Sequence, residues 1–149
     1  MPDQLSLSPR QRDDLRTVAA MIVPASDEYK VPGADDPAIQ ADMLATLGRD
    51  TRLVVAALDY LARLAGQPLA ELDVAKRDAV AQEFRKHGGA AATTLARVVL
   101  QCYYRDDRVL GSLGIEPRAP FPKGHVLPDG DWSLLDPVKA RGGTLRRAP

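Results

Sequence analysis

Apolar residues recur at helical spacing along most of the chain, and no segment shows the alternating pattern of a β-strand. Ser8 is placed to cap a first helix, Pro9 suits the first helical position, and Pro24 stops the helix. Its apolar stripe has the spacing i, i+3, i+4 and i+7: Leu15, Val18, Ala19 and Ile22. An acidic loop containing Pro32 and Gly33 follows, which is typical of a turn region.

Two further helices are predicted in the middle of the chain. Asp36 and Pro37 open the second helix, which extends to about residue 47. The third helix is capped by Asp50 or Thr51 and ends at Gly66 and Pro68. Its apolar stripe is the strongest in the chain: Val54, Ala57, Leu58, Leu61, Leu64 and Ala65.

The remaining helices lie between Asp73 and residue 113. Asp73 caps a fourth helix with a weaker apolar face, and Gly88 with Gly89 separates it from a fifth over residues 90–105. A short helical turn over 107–113 is predicted next. The apolar face of the fifth helix carries Leu95, Val98, Val99, Cys102 and Tyr103. These elements predict an all-α fold, an irregular bundle of about five helices.

The chain from Gly114 onward has a different character. It holds six of the chain's twelve prolines and lacks helical periodicity. Seven of its residues are nevertheless too apolar for a flexible linker: Phe121, Val126, Leu127, Trp132, Leu134, Leu135 and Val138. Such a segment becomes ordered by lying across another surface. We therefore predict a helical bundle over 1–113 and an extended proline-rich arm over 114–149 that packs on the bundle or on a partner subunit.

Composition and charge narrow the class of protein. Hydrophobic residues make up 45% and charged residues 27% of the 149 residues, as in an ordinary soluble domain. Twenty basic residues balance twenty acidic ones, so no overall field attracts nucleic acid or anionic lipid. The longest apolar run, 53–58, is far too short for a membrane span. No signal peptide is visible, which predicts a cytoplasmic protein, or a periplasmic one if an export signal was removed.

No pattern predicts a catalytic, cofactor-binding or metal site in this chain. The single cysteine, Cys102, excludes an internal disulfide, and we interpret it as a small buried hydrophobe. Glu83 and His87 lie four residues apart and are interpreted as a surface ion pair at a helix end. His125, in a turn after Gly124, could reach into a partner's active site or hydrogen-bond to backbone. The glycines match neither a phosphate-binding loop nor a dinucleotide fingerprint.

Three pairs of adjacent acidic residues are similar in type to the catalytic carboxylate pairs of glycosidases. The pairs are Asp13–Asp14, Asp35–Asp36 and Asp106–Asp107. Neighbouring side chains on a helix point in different directions, and each pair lies at or near a predicted helix end. Helix capping and solvation are therefore the preferred interpretation for all three pairs.

Aromatic residues indicate a surface for a partner. Tyr103 and Tyr104 point about 100° apart on a helix, so one ring can be buried while the other joins Arg105 in an interface. Alternatively, both rings cover the end of the bundle. Trp132 is interpreted as an anchor, in a pocket of a partner or of the bundle itself. The predicted interface comprises Tyr103, Tyr104, Arg105, Phe121, Pro122, His125, Trp132, Leu134 and Leu135.

Taken in order, three stretches resemble a known family. Residues 7–25, with the Pro32-Gly33-Ala34 turn after them, resemble the opening of the small, gamma-type subunit of gluconate 2-dehydrogenase. Residues 101–107 resemble a later motif of that family, a helix ending in aromatic residues and an acidic turn. Residues 72–78 fit the start of the helix between them. The order of the motifs, rather than any one of them, carries the resemblance.

The resemblance implies a non-catalytic subunit bound to a large flavoprotein of the glucose-methanol-choline oxidoreductase type. In that family the large subunit carries FAD and oxidises a secondary or hemiacetal hydroxyl of a sugar or related alcohol. The small subunit serves the folding, stability or export of its partner, and a cytochrome c accepts the electrons. No catalytic residue, cofactor ligand or metal ligand is implied for this chain.

The chain departs from the family pattern in two places. No twin-arginine export signal precedes Leu7, and residues 108–114 with the arm replace a segment rich in glycine and asparagine. The second departure predicts a different large subunit and hence a different substrate. A stand-alone helical ligand-binding module or small enzyme that uses His125, Tyr104 and Glu83 is the alternative function.

Overall fold

The computed structural model of the chain describes residues 6–119, 121, 123–124 and 126–142. These residues form seven α-helices and no strand, which confirms the predicted all-α class. The helices are α1 (Pro9–Ile22), α2 (Pro37–Thr46), α3 (Thr51–Ala65), α4 (Val74–His87), α5 (Gly89–Tyr103), α6 (Asp107–Ser112) and α7 (Asp136–Ala140). Short 3-10 helices lie at Gly48–Asp50, Leu69–Glu71 and Trp132–Leu135.

Three helices, α1, α2 and α4, have the side-chain caps that the sequence predicts, whereas Asp50 precedes α3 without a side-chain capping hydrogen bond. Ser8 and Gln11 form a reciprocal capping box, in which the Gln11 N–H donates to Ser8 Oγ at 3.3 Å and the Ser8 N–H donates to Gln11 Oε1 at 2.8 Å. Asp36 and Asp73 cap α2 and α4 through their carboxylates. These side chains satisfy N–H groups that a helix leaves unpaired at its start.

The core is built around α3. This helix packs on α1, α4 and α5. The helix α2 packs on α5, and its buried apolar residues are Ile39 and Met43. The largest fully buried side chains are Leu15, Ile39, Met43, Val54, Leu58, Leu69, Leu95 and Val99. Of the six residues in the predicted stripe of α3, four are buried and two, Leu64 and Ala65, are partly buried against the core. The helix with the strongest predicted stripe thus lies at the centre of the bundle.

The loop between α1 and α2 is folded tightly against the end of α1. Ala34 is buried, and its N–H donates to the carbonyl of Val23 at 2.9 Å. A side chain on Gly33 would put its Cβ 2.9 Å from the backbone nitrogen of Ala25 and 3.3 Å from the carbonyl oxygen of Val23. Only glycine leaves room for this close approach of two backbone segments.

The chain divides into two compact units, Met1–Pro117 and Arg118–Pro149, whereas the sequence pattern places the change of character at Gly114. The second unit is not wholly extended as predicted, because a 3-10 helix at Trp132–Leu135 continues into α7. Asp131 caps this segment by accepting the Ser133 N–H at 3.0 Å. Two short helical turns are too brief to produce a visible apolar period, which is why the pattern misses them.

One helical stretch among the described residues, Gly48–Glu71, is long and apolar enough to cross a membrane by length and composition alone. The central helix of a soluble bundle passes the same test, and α3 occupies that position here. Its residues Val54, Ala57 and Leu58 are fully buried within the bundle. Over the 18-residue apolar window of this stretch, 28% is buried inside the structure.

Candidate partner interface

The C-terminal end of α5 presents one aromatic ring to the core and one to the surface. Tyr103 is buried, whereas the side chain of Tyr104 is 52% exposed. The two rings meet edge to face, with centroids 5.2 Å apart and planes at 84°. Burial, together with neighbouring Tyr104 and Asp106, raises the pKa of the Tyr103 phenol. Of the two arrangements considered from the sequence, the structure has the one with a single outward ring.

Arg105 follows the tyrosines and is held by α2. Its Nε donates to Asp42 Oδ2 at 2.6 Å, and its Nη2 donates to Thr46 Oγ1 at 2.8 Å and to Cys102 Sγ at 3.4 Å. The hydrogen bond to Asp42 raises the pKa of the guanidinium. Because half of the Arg105 side chain is still exposed, a partner would meet it as a positioned ion pair and not as a free, mobile cation.

A second arginine joins two helix caps. Arg108 makes a bidentate pair with Asp36, with Nη2 to Oδ1 at 2.9 Å and Nη1 to Oδ2 at 3.1 Å. Its Nε and Nη2 donate to the two carboxylate oxygens of Asp106 at 2.9 Å each. Asp36 caps α2 and Asp106 caps α6. The capping interpretation of these two acids is confirmed, and Arg108 ties the starts of the two helices together.

The two carboxyl groups around Arg108 are electrostatically stabilised. Hydrogen bonds from the Arg108 guanidinium lower the pKa of Asp36 and of Asp106, and the capped backbone N–H groups add to the effect. The same contacts, first to Asp106 and then to Asp36, raise the pKa of Arg108. The Arg108 guanidinium therefore favours the charged form of both carboxyl groups, and the cluster links the starts of α2 and α6.

Large apolar side chains of the second unit are exposed to solvent. Those at least 71% exposed are Phe121, Val126, Leu127, Trp132 and Leu134. Leu135 is partly covered at 43%. Trp132 begins the 3-10 helix and Leu134 lies two residues further along it. A group of exposed large apolar side chains in one segment is a common feature of interaction surfaces.

Two residues of the predicted interface, Pro122 and His125, lie outside the described residues. The alternative function that combines His125, Tyr104 and Glu83 therefore has no described geometry. Glu83 itself pairs with His87 on the surface of α4, where Nε2 of the histidine is 3.2 Å from Oε1 and both side chains are about half exposed. This exposed pair at the end of α4 agrees with the interpretation as a surface ion pair.

Metal-ligating side chains and the single thiol are the remaining candidates for chemistry among the described residues. Within the part of the chain that the structure describes, no group of three histidine, cysteine, aspartate or glutamate side chains converges to hold a metal ion. Cys102 is buried, as predicted for a small hydrophobe. Burial raises the pKa of its thiol, and a raised pKa disfavours the thiolate, which is the nucleophilic form.

The capping interpretation is wrong for Asp14. This residue lies inside α1, is 3% exposed, and accepts the N–H of Leu69 at 3.2 Å through Oδ1. Arg10 lies one turn earlier, with its Nε 3.7 Å from Asp14 Oδ2. The carboxylate thus fixes the 3-10 turn after α3 against α1. The position of Asp14 on the buried side of α1, next to Leu15, is the only signal in the sequence for this role.

The fold and these contacts define the class: a helical bundle in which Arg108 ties two helix caps together, followed by a second unit with exposed apolar side chains. Comparisons of the chain with protein-family models, with curated proteins and with solved structures find no match. Function must therefore be argued from the residues themselves.

Proposed function

We propose that this chain is the non-catalytic small subunit of a heteromeric FAD-dependent oxidoreductase that acts on CH–OH groups of sugars or related compounds. Its role in the complex is to stabilise the large flavoprotein subunit. FAD belongs to that partner, and a cytochrome c takes the electrons. The chain itself contributes binding surface and no reacting group. The identity of the partner rests on the resemblance of residues 7–107 to the small-subunit family.

The observation that carries the proposal is the exposure of Phe121, Trp132 and Leu134 in the second unit. Burying a large apolar side chain contributes about 1.5–3 kcal/mol before ordering costs are subtracted. Several such side chains on one short segment are sufficient for a stable complex. Tyr104 and Arg105 offer a second contact surface on the bundle, of the aromatic and arginine type that interfaces favour.

Co-purification tests this proposal directly. The full-length chain with an affinity tag is co-expressed with a candidate large flavoprotein subunit of the glucose-methanol-choline type, and flavin absorbance is read in the eluted complex. The unaltered chain is expected to retain a yellow, active flavoprotein and to be less soluble without it. A colourless, well-behaved monomer that leaves the flavoprotein in the flow-through would refute the proposal.

A matched pair of variants locates the contact. Leu134 is 74% exposed in the second unit, and Val74 is 72% exposed at the start of α4. Leu134→Ser is expected to lower the affinity for the flavoprotein about tenfold or more, which corresponds to the loss of about 1.4 kcal/mol or more. Val74→Ser should leave the affinity unchanged. Equal effects of the two substitutions would assign the contact to general surface hydrophobicity instead.

A further inference from the structure

A pocket of about 560 Å³ lies between the start of α1, the end of α2 and the start of α3. Three arginines line it: Arg12 of α1, Arg49 of the 3-10 helix before α3, and Arg52 of α3. We call it the three-arginine pocket. Small-molecule sites in proteins have volumes of about 300–1,000 Å³. The pocket is therefore large enough for a small organic ion.

The positive charge of the three-arginine pocket is not balanced by the side chains that line it. No aspartate or glutamate is among its described lining residues, which leaves the charge of the three arginines. Two acids adjoin these arginines in sequence. Asp50 is engaged outside the pocket, since its Oδ1 accepts a hydrogen bond from Arg97 Nη2 at 2.8 Å, and Asp13 is exposed on α1 and does not line the pocket. A cleft lined by charges of one sign attracts ions of the opposite sign, here an anion.

All three guanidinium groups have N–H groups left to donate. Arg12 uses its Nε, which donates to the carbonyl oxygen of Leu7 at 3.1 Å, and its two Nη groups form no bond with the described residues. Because Leu7 also lines the pocket, this bond holds the Arg12 guanidinium at the pocket wall. Arg49 and Arg52 are exposed, and their side chains form no hydrogen bond or ion pair within the described part of the chain. An anion would therefore meet unoccupied donors.

The arrangement of the arginines fits a phosphoryl group better than a carboxylate. Arg49 and Arg52 lie three residues apart on the continuous helical stretch that begins at Gly48, so their side chains share one side of it. Arg12 approaches from a different helix, α1. One guanidinium fork satisfies both oxygens of a carboxylate, whereas a phosphoryl group offers three acceptor oxygens and up to two negative charges. Three arginines on two helices match the second set of acceptors.

We propose that the three-arginine pocket binds a small soluble phosphorylated compound through its phosphoryl groups. The Nη groups of Arg12 and the guanidinium groups of Arg49 and Arg52 donate to the phosphoryl oxygens. The described lining contains no aromatic side chain on which a base could stack, which favours a small ligand over a single-stranded nucleic acid. All three arginines belong to the first unit, so the site does not depend on the flavoprotein contact proposed for the second unit.

The test compares two small anions of similar charge. The full-length chain, isotopically labelled at nitrogen, is titrated with pyrophosphate and, separately, with citrate at one fixed ionic strength, because screening changes with salt. Pyrophosphate is expected to bind once per chain and to shift the Nε–H resonances of Arg12, Arg49 and Arg52 in the NMR spectrum. Citrate presents carboxylates instead of phosphoryl groups and should bind about tenfold or more weakly.

Two variants test the contacts within the pocket. Arg49→Gln and Arg52→Gln are each expected to weaken pyrophosphate binding about tenfold, because each removes charge-assisted hydrogen bonds to the ligand. Both arginines are exposed and make no side-chain contact that the fold needs, so the variants should keep the circular dichroism signal of the unaltered chain. Arg85→Gln is the matched control and should leave the affinity unchanged, since Arg85 is an exposed arginine of α4 outside the pocket.

Several results would overturn the proposal. These are no binding of pyrophosphate by the unaltered chain, equal affinity for pyrophosphate and citrate, or unchanged affinity in both Arg49→Gln and Arg52→Gln. Equal losses in Arg52→Gln and Arg85→Gln would reduce the effect to general surface charge. A DNA duplex or vesicles containing phosphatidic acid serve as further probes. If either binds the chain more tightly than pyrophosphate does, the arginines contact a nucleic acid or a lipid surface, and the small-ligand proposal fails.

Discussion

At the scale of single residues, the most consequential side chain is Arg108. It pairs with the caps of two helices that are far apart in sequence, Asp36 of α2 and Asp106 of α6. The two carboxyl groups have a lowered pKa in the folded protein. A carboxyl group with a lowered folded pKa contributes stability above its unfolded pKa of about 3.9, and this contribution is lost as the pH falls through the folded pKa.

Arg108→Gln should therefore have a pH-dependent effect on stability. At about pH 7 the free energy of unfolding is expected to fall by about 1 kcal/mol, a modest figure because Arg108 is 48% exposed and solvent screens its pairs. The difference from the unaltered chain should shrink below about pH 4, as Asp36 and Asp106 become protonated in both proteins. Urea unfolding followed by circular dichroism at several pH values measures it.

The matched control is Arg16→Gln, an exposed arginine for which the described residues provide no ion pair. It should change the free energy of unfolding by less than about 0.5 kcal/mol at every pH. A loss in Arg108→Gln that does not begin to shrink as the pH falls below about 4 would contradict the electrostatic explanation, because the carboxyl groups of the unfolded chain, with a pKa of about 3.9, take up protons there.

Asp14 shows what residue-level reasoning can miss. Asp13 and Asp14 are adjacent and chemically identical, and the sequence offers the same interpretation for both. The structure exposes Asp13 and buries Asp14 against the N–H of Leu69, a residue 55 positions later. Only the packing of the 3-10 turn onto α1 distinguishes the two, and that packing depends on the whole bundle.

At the scale of elements, helix positions follow closely from local chemistry. A capping residue or a helix-ending glycine affects only the backbone within a few residues of it. Examples here are the caps Ser8, Asp36 and Asp73 and the glycine that ends α3, Gly66. For this reason the first six helices could be predicted nearly to the residue. The segment at Trp132–Leu135 and α7 could not, because two short turns show no periodicity.

The loop between α1 and α2 allows an element-scale prediction. Gly33→Ala should lower the free energy of unfolding by about 1–3 kcal/mol, because its Cβ would lie 2.9 Å from the backbone nitrogen of Ala25 and the loop would have to shift. Thermal and urea unfolding measure the loss. The clash also involves the Asp35 carboxylate, but that side chain can rotate away, whereas the backbone cannot.

Gly111→Ala provides the comparison. Gly111 lies within α6, and a Cβ there would meet no atom within 4 Å. Alanine is the better helix former, so this substitution should be neutral or should stabilise the protein by up to about 1 kcal/mol. If both glycine substitutions had the same effect, close approach at Gly33 would not be the reason for glycine at that position.

At the scale of the whole molecule, the two units differ in how they are built. All buried apolar residues among those described lie between Leu7 and Val109, within the first unit. The described part of the second unit contributes exposed apolar side chains and two short helical segments. A bundle with its own core is expected to fold independently of a segment that lies outside that core.

Removal of everything after Pro117 tests this division. The shortened chain should keep the helical circular dichroism signal of the bundle and a free energy of unfolding within about 1 kcal/mol of the full chain. It should also lose the capture of the flavoprotein that we propose for the second unit. Unfolding or aggregation of the shortened chain would show that residues after Pro117 complete the core, contrary to this prediction.

The sequence by itself determined the all-α class, the approximate limits of the first six helices and the strongest apolar stripe, which is that of α3. Caps, breakers and apolar stripes act locally, so their consequences can be inferred without knowing the partners of each helix. The predicted interface residues Tyr104 and Trp132 were likewise chosen for their chemistry alone, and their binding role remains a prediction.

Only the tertiary structure decided which of two equivalent side chains faces inward. It buried Tyr103 and exposed Tyr104, placed Asp14 against Leu69, and joined Arg108 to Asp36 across 72 positions. Each of these depends on contacts between distant segments, which local spacing does not encode because it fixes a helix but not its neighbours.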